Sequence, residues 1–235
     1  LSTDDMAQAM KDVQEAILRF GLTDGILASA LDIRRRLGPV SYLSTENGDP
    51  SLSICLIVKN EAACLAKCLN SIQGLADEIV VVDTGSDDCS VDLAKVFGAK
   101  VFIHEWKDDF ADARNAYLRK AKGDWILVLD ADEVLAPSDH ENVRTLIREG
   151  HNNSIAYTIT TRNYDANPTI IGWTPNQGEY KTEECGNGWI PTHKIRLFPN
   201  DSRLRYSFPV HEMLEPSLKE HGFDLVPADV PVHHY

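Results

Sequence analysis

Four apolar runs, set at intervals between helical segments, constrain this chain more than any other feature. Leu52-Ser53-Ile54-Cys55-Leu56-Ile57-Val58, Ile79-Val80-Val81-Val82, Val101-Phe102-Ile103 and Trp125-Ile126-Leu127-Val128-Leu129 are short and almost unbroken. Strands covered on both faces read this way, whereas strands with one wet face alternate. Between the runs lie segments of helical period. Leu65, Cys68, Leu69 and Ile72 precede Gly74, Val91 to Phe97 precede Gly98, and Phe110 to Ala121 precede Gly123. Strand, helix and strand joined by short links imply an α/β fold with right-handed crossovers and a mainly parallel sheet. Ser138-Asp139-His140-Glu141 has the form of a capping box opening a helix to about Glu149. Beyond Ile155 the pattern turns strand-like and loop-rich, and loops of that length often carry binding sites.

Upstream, Met6, Met10, Val13, Ile17 and Phe20 follow helical spacing before Gly21. A second helix runs from a cap at Thr23 or Asp24 to Leu37, with Gly38-Pro39 as its stop. The polar stretch Ser44 to Pro50 is the expected boundary. This divides the chain into a helical hairpin with linker, 1–46, and a main domain, 47–235, whose two halves lie at about 52–135 and about 136–235. The hairpin reads as a packing appendage. A homodimer contact and the last unit of a helical-repeat array are the other readings.

The net charge of −13 argues against nucleic-acid binding, which needs a basic stripe. No apolar run reaches the roughly 18–20 residues of a membrane span. Cys55, Cys64, Cys68, Cys89 and Cys185 are odd in number and contain no CxxC, so they read as reduced thiols of a cytoplasmic protein. A peripheral place at the inner face of a membrane stays compatible with this. The chain begins at Leu1 and ends at Tyr235, and reads as an excised domain.

Ligands of open α/β sheets bind at the carboxyl ends of the strands. The first run ends in Lys59-Asn60-Glu61, the second in Asp83-Thr84-Gly85-Ser86-Asp87-Asp88, and the fourth in Asp130-Ala131-Asp132-Glu133. Carboxylates gathered at one sheet edge repel one another unless a cation or a hydrogen-bonding ligand intervenes. Asp130 and Asp132, two apart on extended chain, can point the same way as hard oxygen ligands for Mg²⁺ or Mn²⁺ bridging to phosphates. Asp83 suits a ring N–H of uracil or guanine, which adenine does not offer on that edge; an Asx turn at Thr84-Gly85 is the plainer alternative. Asp112, Arg114 and Asn115 open the helix from Phe110, and the fork of donors on Arg114 fits a diphosphate. No glycine-rich phosphate loop precedes a helix, so neither the P-loop nor the GxGxxG route applies.

Cys55-Leu56-Ile57-Val58-Lys59-Asn60-Glu61, Val81-Val82-Asp83-Thr84-Gly85-Ser86-Asp87-Asp88, Phe110-Ala111-Asp112-Ala113-Arg114-Asn115 and Leu129-Asp130-Ala131-Asp132-Glu133 resemble the ordered motifs of family 2 glycosyltransferases. The nearest subgroup in pattern is that of lipopolysaccharide-core and repeat-linked bacterial transferases. The resemblance implies a GT-A fold, a UDP- or GDP-sugar donor, a divalent cation (Mn²⁺ or Mg²⁺) at Asp-x-Asp, and inversion at the anomeric carbon. It implies a saccharide, lipid-linked or protein acceptor in bacterial surface glycan or glycoconjugate synthesis. Carried over, Ile57, Lys59, Glu61, Asp83, Arg114, Asn115 and Asp130 hold the nucleotide, and Asp132 ligates the metal with Asp130. Val210-His211-Glu212 resembles an acceptor-side His-Glu and makes Glu212 the first choice for the base, with Glu133 and Asp165 in reserve. Val232-His233-His234-Tyr235 resembles a closing His-Tyr and adds His234 to the metal set. Trp173, Tyr180 and Trp189 are candidates for stacking on a sugar.

Three rivals remain. Leu127 to Leu135 resembles the nucleophile strand of haloacid-dehalogenase-type phosphatases, but three apolar strands precede it. A sugar nucleotidyltransferase would need a glycine-rich, Arg/Lys-bearing first loop. A degenerate transferase domain acting as a binding module conflicts with the intact Asp83, Asp130, Asp132 and Glu212.

Overall fold

The computed structural model describes residues 3–37, 48–151 and 153–235. The helix stop at Gly38-Pro39, most of the linker and the expected 46/47 boundary lie outside the described residues. The four apolar runs form β1 (Leu52–Val58), β2 (Glu78–Asp83), β3 (Lys100–Ile103) and β4 (Trp125–Val128), all parallel in the order β3-β2-β1-β4. Helices α3 (Leu65–Ser71) and α4 (Ser90–Val96) connect β1 to β2 and β2 to β3, and α5 (Phe110–Leu118) precedes β4. The strand order reverses between β1 and β4, which opens a crevice at their carboxyl ends.

The second half continues the same sheet through β5 (Glu133–Leu135), β6 (Ile155–Tyr164), β7 (Thr174–Pro175), β8 (Gly188–Pro199) and β9 (Asp224–His234). β8 pairs antiparallel with both β4 and β6, β6 runs parallel to β9, and β9 pairs antiparallel with β5. The expectation of a mainly parallel sheet therefore holds for β1 to β4, and the nine-stranded sheet as a whole is mixed. This pairing carries the end of β9, with His234, back beside Glu133, 101 residues before it in sequence by subtraction (234 − 133).

The expected capping box does not form. Pro137–Asp139 makes a turn of 3₁₀ helix, and α6 (His140–Gly150) starts from Asp139 without a side-chain cap. Pro137 at that turn's first position spares one orphan N–H and fixes its φ for the helical turn. α7 (Glu215–Glu220) lies before β9. α1 (Thr3–Phe20) and α2 (Asp24–Leu37) form the hairpin, closed by Gly21 at φ 79° and capped by Thr23, whose Oγ1 accepts from Ile26 N at 3.3 Å. Buried Met10, Ile17 and Ala30 join the main core beneath β1 and β2. The hairpin packs on α3 and α4. Among the described residues no helix is long and apolar enough to cross a membrane.

Candidate active site

The loops after β1 and β2 are laced together before they meet any ligand. Asn60 takes a left-handed φ of 57°, its N–H donates to Ser86 Oγ at 2.9 Å, and its Oδ1 accepts from Asp87 N at 2.8 Å. Glu61 N donates to Ser90 Oγ and Ala62 N to Asp88 Oδ2. The loops are thereby held at the crevice, where a cavity of about 500 Å³ is lined by Ile57, Lys59, Glu61, Thr84, Arg114, Asp130, Asp132 and Glu133. From the second half, Asn163, Lys194 and His234 complete it. Trp106 and Phe110 stand at the same cavity with their rings edge to face, centroids 4.8 Å apart.

Asp83 lies at the end of β2, 2% exposed, beside the cavity-lining Thr84. Its Oδ2 accepts from Gly85 N at 3.0 Å and Ser86 N at 3.1 Å, so the Asx turn is present. Its Oδ1 is buried with no hydrogen-bond partner among the described residues.

Asp130 differs from the expected metal ligand. Its Oδ1 accepts from Arg114 Nη2 at 3.2 Å and its Oδ2 from Lys194 Nζ at 3.1 Å, with Arg196 Nη2 at 3.8 Å. Burial works against its ionised form, but the guanidinium of Arg114, then those charges on Arg196 and Lys194, outweigh burial and hold the carboxyl well below the usual range. Both oxygens thus face cations and not a shared metal position. Among the described residues no group of three or more His, Cys, Asp and Glu is arranged to hold a metal.

Asp132 and His234 do come together, with Oδ2 and Nε2 3.1 Å apart and both side chains part-exposed to the cavity. Asn163 fixes the imidazole. Its Nδ2 donates to Ile190 O at 2.9 Å and Thr192 Oγ1 at 3.1 Å, which leaves its Oδ1 to accept from His234 Nδ1 at 3.0 Å. Asn163 Oδ1 can only accept, so Nδ1 carries a proton, and Nε2 faces a carboxylate oxygen. A proton or a cation lies between Nε2 and that oxygen, and an amide on the far ring nitrogen is also what orients a metal-binding histidine. This pair fits a divalent cation.

Glu133 is not placed as a base. It is 1% exposed, Oε1 pairs with Arg196 Nη2, and Oε2 accepts from Asp130 N at 2.8 Å. Arg196, also 1% exposed, donates further to Val128 O and Thr161 Oγ1. The buried pair therefore pins the chain around Asp130, and both oxygens of Glu133 are already engaged in holding it. Asp165, the other reserve, accepts from Asn167 N in its own turn at 2.7 Å.

Glu212 borders a second cavity of about 420 Å³, which also includes His193, Lys194, Arg196, His211 and Arg114. Its Oε1 accepts from Arg114 Nε at 2.6 Å. Phe208-Pro209-Val210, apolar and strand-like in sequence, is instead the tip of a tight loop closed by the Ser207–Met213 bridge, with Phe208 at φ 74° and His211 at φ 56°. Pro209 O accepts from Phe110 N at 2.9 Å, which docks the loop on the start of α5. Asn115, expected at the nucleotide, instead clasps Tyr206 through Nδ2 to O at 3.0 Å and N to Oδ1 at 2.8 Å. The candidate stacking residues are also spent on structure: Tyr180 and Trp189 sandwich Arg162 at 4.8 and 4.7 Å, and Trp173 Nε1 donates to Asp165 O.

Reasoning from sequence missed Lys194 and Asn163. Both lie within long strands, and only cross-strand pairing shows that they face the crevice.

A parallel α/β half with a carboxylate-bearing crevice at its switch point, widened by antiparallel strands into a second cavity, defines the GT-A class of transferase folds. The chain belongs to glycosyl transferase family 2, whose model matches residues 53–203. A TPR repeat-containing protein of Synechococcus elongatus is 35% identical over 168 residues, 71% of this chain and 36% of that protein. The chain spans about a third of the length of the first curated relatives it matches. Among solved structures, a mannosyltransferase from Pyrobaculum calidifontis in complex with GDP-Man and Mn²⁺ is similar with a TM-score of 0.53 at 14% identity, covering 99% of this chain and 68% of that one. TarS from S. aureus gives a TM-score of 0.53 at 16% identity over 78% of this chain and 60% of that one.

Proposed function

We propose that this chain transfers a sugar from a UDP- or GDP-sugar to an acceptor hydroxyl, with inversion and with a divalent cation, Mn²⁺ or Mg²⁺, held by Asp132 and His234. The observation that carries the reading is the facing carboxylate of Asp132 and imidazole of His234 inside a cavity that also collects Ile57, Lys59, Glu61 and Asp130. The cation would supply Lewis-acid stabilisation of the departing diphosphate. Arg114, at the wall shared by both cavities, adds positive charge on the same side. The buried, unpartnered Oδ1 of Asp83 offers an acceptor to a ring N–H, which favours uracil or guanine over adenine.

Glu212 is the base in this reading. It stands in the second cavity, next to the wall formed by Arg114 and Lys194, where an acceptor hydroxyl meets the donor side. One in-line attack then needs one carboxylate within hydrogen-bond reach of the hydroxyl proton. The acceptor is a saccharide, a lipid-linked or a protein hydroxyl, and bacterial surface glycan or glycoconjugate synthesis is the setting that the family resemblance suggests. The domain division at 46/47 belongs to the same proposal.

The test is calorimetry of UDP, GDP and ADP binding with and without Mn²⁺. Metal-dependent binding of UDP or GDP, with ADP weaker, supports the reading. Equal affinity for all three nucleotides, unaffected by Mn²⁺ or Mg²⁺, would refute it.

A further inference from the structure

Three cations surround Asp130, and they are not equivalent. Arg196 is buried and bound to Glu133, Val128 O and Thr161. The Arg114 side chain is 12% exposed and anchored on Glu212 as well as Asp130. The Lys194 side chain is 49% exposed and has one full-length contact, Nζ to Asp130 Oδ2 at 3.1 Å, with Glu133 Oε1 more distant at 3.8 Å. A long aliphatic stem with an ammonium at its end is also the most easily re-aimed of the three. Lys194 lines both cavities, so its ammonium stands where they join.

Asp130 does not need this third cation, because Arg114 and Arg196 remain beside it when Lys194 turns away. An incoming diphosphate does need one. The cavity wall already carries Glu61, Asp130 and Asp132, and an anion entering it gains from every cation it can recruit. From this we infer that Lys194 is a diphosphate-binding residue, leaving Asp130 for the phosphates of the donor when the donor enters. The inference rests on the nucleotide-sugar reading above and adds to it a residue from the second half of the chain. By exchanging one anionic partner for another, Lys194 keeps its charge satisfied before and after binding. It also places a positive charge at the junction of the cavities, where negative charge develops on the leaving group.

The test compares UDP with uridine, each titrated calorimetrically in the presence of Mn²⁺, on the parent protein and on Lys194→Met and Lys194→Arg. Methionine keeps an apolar stem and removes the charge. A charge-assisted hydrogen bond is worth enough that UDP affinity should fall about tenfold to a hundredfold in Lys194→Met. Uridine affinity should stay within about twofold, and Lys194→Arg should recover most of the UDP affinity. Because the side chain is half exposed, the melting temperature of both variants should match the parent. Unchanged UDP affinity in Lys194→Met overturns the inference while leaving the nucleotide reading intact. Equal losses for UDP and uridine also overturn it, since Lys194 then acts through cavity shape. A parent protein that binds UDP and GDP no better than ADP removes the inference together with the reading it rests on.

Discussion

Asp132 Oδ2 lies 3.1 Å from His234 Nε2 although 102 residues separate them in sequence. β5 and β9 pair antiparallel to bring them together, and Asn163 holds the imidazole so that Nε2 faces the carboxylate. Asp132→Ala should keep its melting temperature, since the side chain is 44% exposed, and lose the Mn²⁺-dependent part of UDP binding. Asn163→Ala removes the orienting amide and should weaken metal affinity by about 10–100-fold, as loss of an outer-shell partner does. Electron paramagnetic resonance of Mn²⁺ titrated into each protein checks both, and unchanged Mn²⁺ affinity in Asp132→Ala would remove the assignment.

Two glutamates were open as the base from sequence, and their surroundings separate them. Glu212→Gln keeps shape and should reduce sugar transfer by about 10²–10⁴-fold with donor affinity nearly unchanged. Glu133→Gln should behave differently, because it takes the direct carboxylate partner from buried Arg196 and leaves only Asp130, 3.8 Å away. Breaking a buried pair in this way costs about 3–5 kcal/mol, so the melting temperature should fall markedly. A Glu133→Gln protein of parental stability that has lost turnover, beside a fully active Glu212→Gln, would exchange the two roles.

The contrast shows what the sequence could and could not convey. Lys59, Glu61, Asp130 and Asp132 stand directly after apolar strands, and a parallel sheet places such residues at one edge, so their meeting is legible from order alone. Arg196 is 63 residues from Glu133, and nothing local marks the two as a buried pair. The loop holding Glu212 was read as a strand because Phe208, Pro209 and Val210 are apolar; the left-handed backbone at Phe208 and His211 overrides that pattern. The mixed half of the sheet was hidden for a related reason. β6, β8 and β9 gain their register from partners far along the chain, and that register decides that Asn163 and Lys194 reach the crevice.

His233, next to His234 in sequence, faces the other way. It is fully buried, with Nδ1 hydrogen-bonded to Tyr164 Oη at 2.7 Å. Burial, then the charges of Arg162 and Lys67, lower its pKa to about 4 from 6.5. A folded-state pKa below the unfolded one means that the unfolded chain takes up the proton first, so stability is retained above pH 6.5 and lost as pH falls toward 4. The loss reaches up to about 3 kcal/mol. His233→Phe should flatten the fall in melting temperature between those limits relative to the parent. Parallel curves for the two proteins would show that other groups set the acid limb.

The N-terminal hairpin should be dispensable for donor binding but not for stability. α1 and α2 lie on α3 and α4, while the crevice opens at the carboxyl ends of the strands. The contact is well made: Gln14 Nε2 at 3.1 Å and Arg34 Nη2 at 2.9 Å both donate to Val96 O, the last carbonyl of α4, which the helix itself leaves unpaired. Met10 and Ile17 are 3% and 4% exposed in the same seam. Burying two such side chains contributes several kcal/mol, so a chain beginning at Asp49 should melt roughly 5–15 °C lower than the parent. UDP affinity in the presence of Mn²⁺ should remain within about twofold, since the hairpin seam lies behind α3 and α4. A shortened chain that is folded by circular dichroism, yet has lost nucleotide binding, would show that the hairpin shapes the crevice from behind α3 and α4.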